Sequence, residues 1–112
     1  MSVQFRTVSA DAIREKVAAL CVEANVFLPE DAKTALRRAC ETEPMDGARA
    51  LMRQMTDNAE VAARAGMPVC QDTGMAVVFA EIGQQVLILD GDFEDAVHRG
   101  VGEGYTRGYL RA

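Results

Sequence analysis

The sequence predicts an α+β fold, in which an N-terminal three-helix segment is followed by a β-hairpin and a further helix. Two observations support this class. Apolar residues recur at helical spacing through roughly the first 65 residues, and the pattern then changes to short, β-branched apolar runs before helical spacing returns. With 49% apolar and 26% charged residues in a chain of 112, the composition is typical of one globular domain.

Three consecutive helices are predicted in the N-terminal part, over residues 9–28, 30–43 and 45–65. Ser9 can cap the first helix, because its hydroxyl oxygen can accept a hydrogen bond from the first turn. Pro29 suits the first turn of the second helix, where a backbone N–H would have no partner. Gly66 is placed to end the third helix in a left-handed conformation.

Two strands are predicted next, over residues 75–82 and 85–89, and Gly83-Gln84 between them would form a tight hairpin turn. A last helix is predicted over residues 92–107, because Asp92 can cap its first turn and apolar residues again recur at every fourth position. The tail GVGEGYTRGYLRA, residues 100–112, contains four glycines, which predicts a loosened helix end.

The composition excludes several classes of function. The formal net charge is −5 and basic residues are interleaved with acidic ones, so no nucleic-acid surface is expected. No segment approaches the roughly 18 apolar residues that span a membrane, and the N-terminus has no apolar signal core. The three cysteines form no C-x-x-C pair, which favours neither a disulfide framework nor a self-contained zinc site. A cytoplasmic protein is therefore expected.

The segment CQDTG, residues 70–74, places a thiol, an amide, a carboxylate and a hydroxyl on a loop ahead of a predicted strand. Composition alone favours a polar turn in which Cys70 is incidental. If Cys70 is functional, it is a nucleophile paired with His98, a zinc ligand without enough partners, or one ligand of an iron–sulfur cluster built from distant loops. Cys21 and Cys40 lie in helical repeats, where packing is the favoured role.

Four segments carry a resemblance to a known family: REKVAALCVEANVFLPEDAKTAL, PVCQDTGMAVVF, GQQVLI and AVHRGVGEGYTRGYLR. Together they resemble the iron–sulfur-dependent class I fumarate hydratases and the related L(+)-tartrate dehydratases. The similarity is to the N-terminal part of the alpha subunit or alpha region, and it covers nearly the whole chain.

The resemblance implies roles for individual residues. Cys70 would be one of three thiolates that hold a [4Fe–4S] cluster, and the other two cysteines of the family lie beyond the residues present here. Gln71, Asp72 and Arg111 would bind the substrate, and Arg111 would hold a carboxylate through its guanidinium group. Thr73 would shape the loop by satisfying local backbone groups. No residue of this chain is assigned as a catalytic acid or base.

The resemblance also implies the reaction and the partners. The reaction would be reversible hydration of a four-carbon dicarboxylate, fumarate to malate, with tartrate to oxaloacetate as the other branch. The partners would be the remainder of the alpha region and a beta subunit or beta domain, in an oligomer. The chain is thus expected to be an N-terminal portion of a hydro-lyase alpha domain that is inactive alone. The alternative is a non-catalytic subunit-interaction or regulatory module that retains the fold.

Overall fold

A computed structural model describes residues 2–111 of the chain. In chain order the elements are β1 (Arg6–Ser9), α1 (Ala10–Val26), α2 (Glu30–Thr42), α3 (Asp46–Ala65), β2 (Val86–Leu89) and α4 (Phe93–Arg107). The α+β class is confirmed, and the four helices lie where the apolar spacing predicts them. Within the described range, none of the helices combines the length and apolar character needed to cross a membrane.

The predicted helix ends are stabilised by the capping interactions that the sequence indicates. The hydroxyl of Ser9 accepts a hydrogen bond from the N–H of Ala12 at 3.0 Å, at the start of α1. The carboxylate of Asp92 accepts from the N–H of Asp95 at 3.0 Å, at the start of α4. Gly66 ends α3 with a φ of 65°, a left-handed conformation that glycine adopts without steric cost. Local sequence signals therefore determine where these helices begin and end.

The predicted β-hairpin is wrong. The strand β2 pairs in parallel with β1, in a register that aligns Arg6 with Val86 and Ser9 with Leu89. Residues 75–82 form no strand with any described residue, although a turn does precede β2. The short polar segment RTVS lacks the apolar alternation that marks a strand, and pairing between distant segments is not encoded in either one alone.

The chain divides into two compact units, one formed by residues up to Val22 together with residues from Asp72 onward, the other by Glu23–Gln71. In the first unit, α4 packs on the N-terminal part of α1. The centre of this packing is a cluster of buried and partly buried side chains: Ile13, Val17, Cys21, Val97, Val101, Tyr105 and Leu110. The Arg14 guanidinium on α1 forms an ion pair with the Glu103 carboxylate on α4.

Two glycines set the closeness of α1 and α4. A Cβ atom on Gly104 would lie 2.6 Å from the carbonyl oxygen of Ala18, and one on Gly100 would lie 2.6 Å from that of Arg14. Neither distance is sterically tolerable, so both positions require glycine at this separation of the helices. The expectation that these glycines loosen the helix is wrong, because α4 continues through both to Arg107.

The second unit contains α2 and α3, which pack against each other. Its buried side chains are small or β-branched: Val26 at the end of α1, and Ala59 and Ala62 on α3. The loop that carries the CQDTG motif leaves this unit at Gln71 and enters the first unit at Asp72.

Candidate functional site

The loop that leads from α3 to Cys70 is held in place through the residue before the cysteine. The N–H of Val69 donates to the carbonyl oxygen of Asn25 at 2.9 Å. The carbonyl oxygen of Val69 accepts from the side-chain amide of Asn58 on α3 at 2.7 Å. Both backbone polar groups of Val69 are therefore bound within the second unit, which restricts the position of the Cα atom of Cys70.

Cys70 and Gln71 are exposed at the end of this restrained segment. An exposed thiol on a restrained loop suits a metal or cluster ligand, because the sulfur is accessible while its backbone is fixed. Among residues 2–111, no three histidine, cysteine, aspartate or glutamate side chains come together as a ligand set. Residues 2–111 thus contain one exposed cysteine at this loop and no complete ligand set.

Thr73 connects the motif to the C-terminal segment of the first unit. Only 8% of its surface is exposed. Its hydroxyl donates to the carbonyl oxygen of Arg111 at 3.0 Å and accepts from the N–H of Arg111 at 2.7 Å. The sequence predicts that Thr73 satisfies local backbone groups, but the groups it binds lie 38 residues away.

The segment that ends at Arg111 is also hydrogen-bonded to α4. The N–H of Leu110 donates to the carbonyl oxygen of Tyr105 at 2.9 Å, and the Leu110 side chain is buried. The chain reverses at Tyr109, whose φ of 54° is left-handed. The Tyr105 hydroxyl donates to the carbonyl oxygen of Thr73 at 2.9 Å. Together with the two bonds between Thr73 and Arg111, these two make four hydrogen bonds that link α4, the motif and Leu110–Arg111.

The structure brings together only some of the predicted site residues. Asp72 and Arg111 are exposed and belong to the first unit, where the hydroxyl of Thr73, the residue after Asp72, binds the backbone of Arg111. Cys70 and Gln71 belong to the second unit and precede Asp72 directly in the chain.

Two residues that position the loop, Tyr105 and Asn58, are not among the site residues that the sequence predicts. Tyr105 continues the fourfold apolar repeat of α4, so its partly buried hydroxyl required a polar partner, and this was a usable signal. Asn58 is an ordinary polar residue of a helical pattern. Its bond to Val69 gives no signal in the local sequence.

The surroundings of the other candidate residues, His98, Cys21 and Cys40, fit structural roles. His98 is exposed on α4 with its Nε2 atom 3.6 Å from a carboxylate oxygen of Glu94, the usual spacing of a helix surface pair. Cys21 is buried in the apolar cluster, as the packing role predicts, and burial raises the pKa of its thiol. Cys40 is partly buried on α2. The nucleophile hypothesis for Cys70 gains no support from this arrangement of His98.

The three thiols should differ in their rates of alkylation by iodoacetamide. Cys70 is exposed, whereas Cys21 is buried and its raised pKa lowers the fraction of reactive thiolate. We expect Cys70 to react at least about tenfold faster than Cys21, with Cys40 between them. Peptide mass spectrometry at timed intervals measures all three in one sample. In denaturant the rates should converge, and equal rates in the folded chain would contradict the burial of Cys21.

Comparisons with known proteins agree with the motif. A family model described as fumarate hydratase (Fumerase) matches residues 14–112. The putative L(+)-tartrate dehydratase subunit alpha of Methanocaldococcus jannaschii is 35% identical over 74 residues, which cover 66% of this chain and 26% of that subunit. The anaerobic class I fumarate hydratase of Escherichia coli K12 is 40% identical over 58 residues, which cover 52% of this chain and 10% of that enzyme. The matched segments span only a small part of these relatives.

Proposed function

Because this chain belongs to the fumarate hydratase (Fumerase) family, we propose that it supplies part of the active site of a hydro-lyase. The observation that carries the proposal is the CQDTG loop. Its cysteine follows a backbone held at Val69, and its threonine binds the backbone of Arg111. Both anchors lie within the region that matches the family.

Cys70 would be one thiolate ligand of a [4Fe–4S] cluster. Its exposure and its restrained backbone suit that role, and the remaining ligands would have to come from polypeptide outside residues 2–111. When bound, a cluster of this kind supplies Lewis acidity toward an oxygen atom of the substrate.

The side chains of this chain would bind and orient a four-carbon dicarboxylate. The guanidinium of Arg111 would pair with one carboxylate through two parallel hydrogen bonds, which sets the orientation as well as the charge balance. Gln71 and Asp72 would hydrogen-bond to the substrate near its hydroxyl group. We propose fumarate and malate as the substrate pair, and tartrate and oxaloacetate as the second pair to test. The names of the relatives support both.

The segment of residues 75–82 supports a function in an assembly. It is mostly apolar and lies outside the helices and strands, yet Met75 and Phe79 are 89% and 93% exposed. Outside the helices and the sheet, no backbone hydrogen bond joins this segment to another residue in the described range. Exposed apolar side chains and unpaired backbone groups suit strand addition by a second polypeptide. We propose that this polypeptide carries the rest of the alpha region, with a beta subunit or domain completing the enzyme.

Assembly followed by an activity assay tests the proposal. The chain is co-expressed with a polypeptide corresponding to the remainder of the alpha region and with a beta partner, and is reconstituted anaerobically with iron and sulfide. We expect hydration of fumarate by the assembly and none by the chain alone. An assembly that retains iron and sulfide but acts on neither fumarate nor tartrate would instead support the non-catalytic interaction module.

A further inference from the structure

Thr73 is the one polar residue among the buried side chains in the described part of the chain. A hydroxyl has one proton to donate, and that of Thr73 donates it to Arg111 while accepting from the N–H of the same residue. Burying a hydroxyl is costly unless it is hydrogen-bonded, and here both of its bonds go to a single backbone position. Thr73 therefore restrains the backbone of Arg111 in two directions.

Tyr105 extends this restraint to the core of the first unit. Its ring packs against the cluster of Val17, Cys21 and Leu110, and its hydroxyl donates to the carbonyl oxygen of Thr73 at 2.9 Å. The position of Thr73 is thus coupled to the packing of α1 against α4. We call the hydrogen-bonded group of Tyr105, Thr73 and the backbone of Arg111 the clamp.

The side chains of Asp72 and Arg111, which lie beside the clamp, are exposed. Asp72 immediately precedes Thr73, and Arg111 is the residue whose backbone Thr73 binds. Buried groups hold the main chain, while a carboxylate and a guanidinium remain accessible to solvent. A misplacement of about 1 Å of a substrate-binding group can cost on the order of 100-fold in rate, so the main chain that carries such groups has to be held closely.

We propose that Thr73 and Tyr105 are positioning residues, which hold Asp72 and Arg111 in register so that both engage one dicarboxylate substrate. This inference rests on the proposed function and adds to it the device that sets the spacing of the two groups. Neither residue touches the substrate. Thr73 acts through the backbone of Arg111, and Tyr105 acts through Thr73.

The first test measures the clamp in the 112-residue chain. Thr73→Val removes the hydroxyl with little change of shape, whereas Thr73→Ser keeps it. We expect amide hydrogen exchange at Arg111, followed by NMR, to accelerate by about tenfold in the valine variant and to stay near the parent rate in the serine variant. Thr106→Val is the matched control, because the Thr106 hydroxyl bonds only to the carbonyl oxygen of Gly102 in its own helix. That substitution should leave Arg111 exchange unchanged.

The second test measures substrate binding in the assembled enzyme. A purely structural role would lower the active fraction and leave KM unchanged. The positioning role predicts that Thr73→Val raises KM for the dicarboxylate by about tenfold or more, and that Thr73→Ser restores it. Tyr105→Phe, which keeps the ring in the cluster, should raise KM by a smaller factor. If the Thr73→Val variant does not fold, Tyr105→Phe tests the same prediction.

The outcomes separate the two proposals. An unchanged KM in Thr73→Val or in Tyr105→Phe, in an assembly whose parent is active, overturns the positioning role and leaves the proposed function intact. Failure of serine to restore KM, or unchanged exchange at Arg111, also overturns it. If the parent assembly is inactive while its iron and sulfide are retained, the proposed function fails and the positioning role fails with it.

Discussion

Replacing Cys70 by serine in the assembled enzyme is expected to abolish both iron retention and hydratase activity. If Cys70 is one of three protein ligands, its loss removes a thiolate from a cluster that has no spare ligand. Loss of a partner that merely orients a metal ligand already costs about 10-fold to 100-fold, so loss of a direct ligand should exceed about 100-fold. Iron and acid-labile sulfide per assembly, measured beside fumarate hydration, report both effects.

The other two cysteines provide matched controls. Cys40 is partly buried on α2, and Cys40→Ser should leave iron, sulfide and activity near the parent values. Cys21 is buried in the apolar cluster, so Cys21→Ser should lower the free energy of unfolding by about 1–3 kcal/mol without altering the cluster content of folded protein. Full iron retention by Cys70→Ser would refute the ligand role, whatever its activity.

Replacing Gly104 by alanine is expected to destabilise the first unit, although alanine favours helices. The added Cβ atom would lie 2.6 Å from the carbonyl oxygen of Ala18 and 2.9 Å from the Cβ atom of Cys21. Because the backbone of α1 cannot rotate away as a side chain can, the two helices have to separate. We expect the free energy of unfolding to fall by about 1–3 kcal/mol, as for other overpacked positions. Urea unfolding followed by circular dichroism measures the change.

Gly102 is the control within the same helix. A Cβ atom at this position would meet no heavy atom within 4 Å, and the residue is exposed. Gly102→Ala should therefore raise the free energy of unfolding by about 0.5–1 kcal/mol through helix propensity alone. Opposite signs for the two substitutions are the expected result. A Gly104→Ala variant as stable as Gly102→Ala would contradict the close packing of α1 and α4.

The helices and their ends were predictable because their signals are local. Ser9, Asp92 and Gly66 each act within a few residues of their own position, and apolar spacing reports one helix at a time. The CQDTG motif was visible for the same reason, since its residues are contiguous. The resemblance that it carries, confirmed at the level of the family, did not depend on any tertiary contact.

The contacts that position the candidate site were not predictable in this way, because each joins segments far apart in the chain. The sequence by itself determined the α+β class, the helix boundaries and the family. Only the tertiary structure decided that Val86–Leu89 pairs with Arg6–Ser9, that Gly104 meets the backbone of α1, and that Thr73 holds Arg111. The physical reason is that hydrogen bonds and close packing depend on which surfaces meet. The local propensity of one segment does not specify the segment that will pack against it.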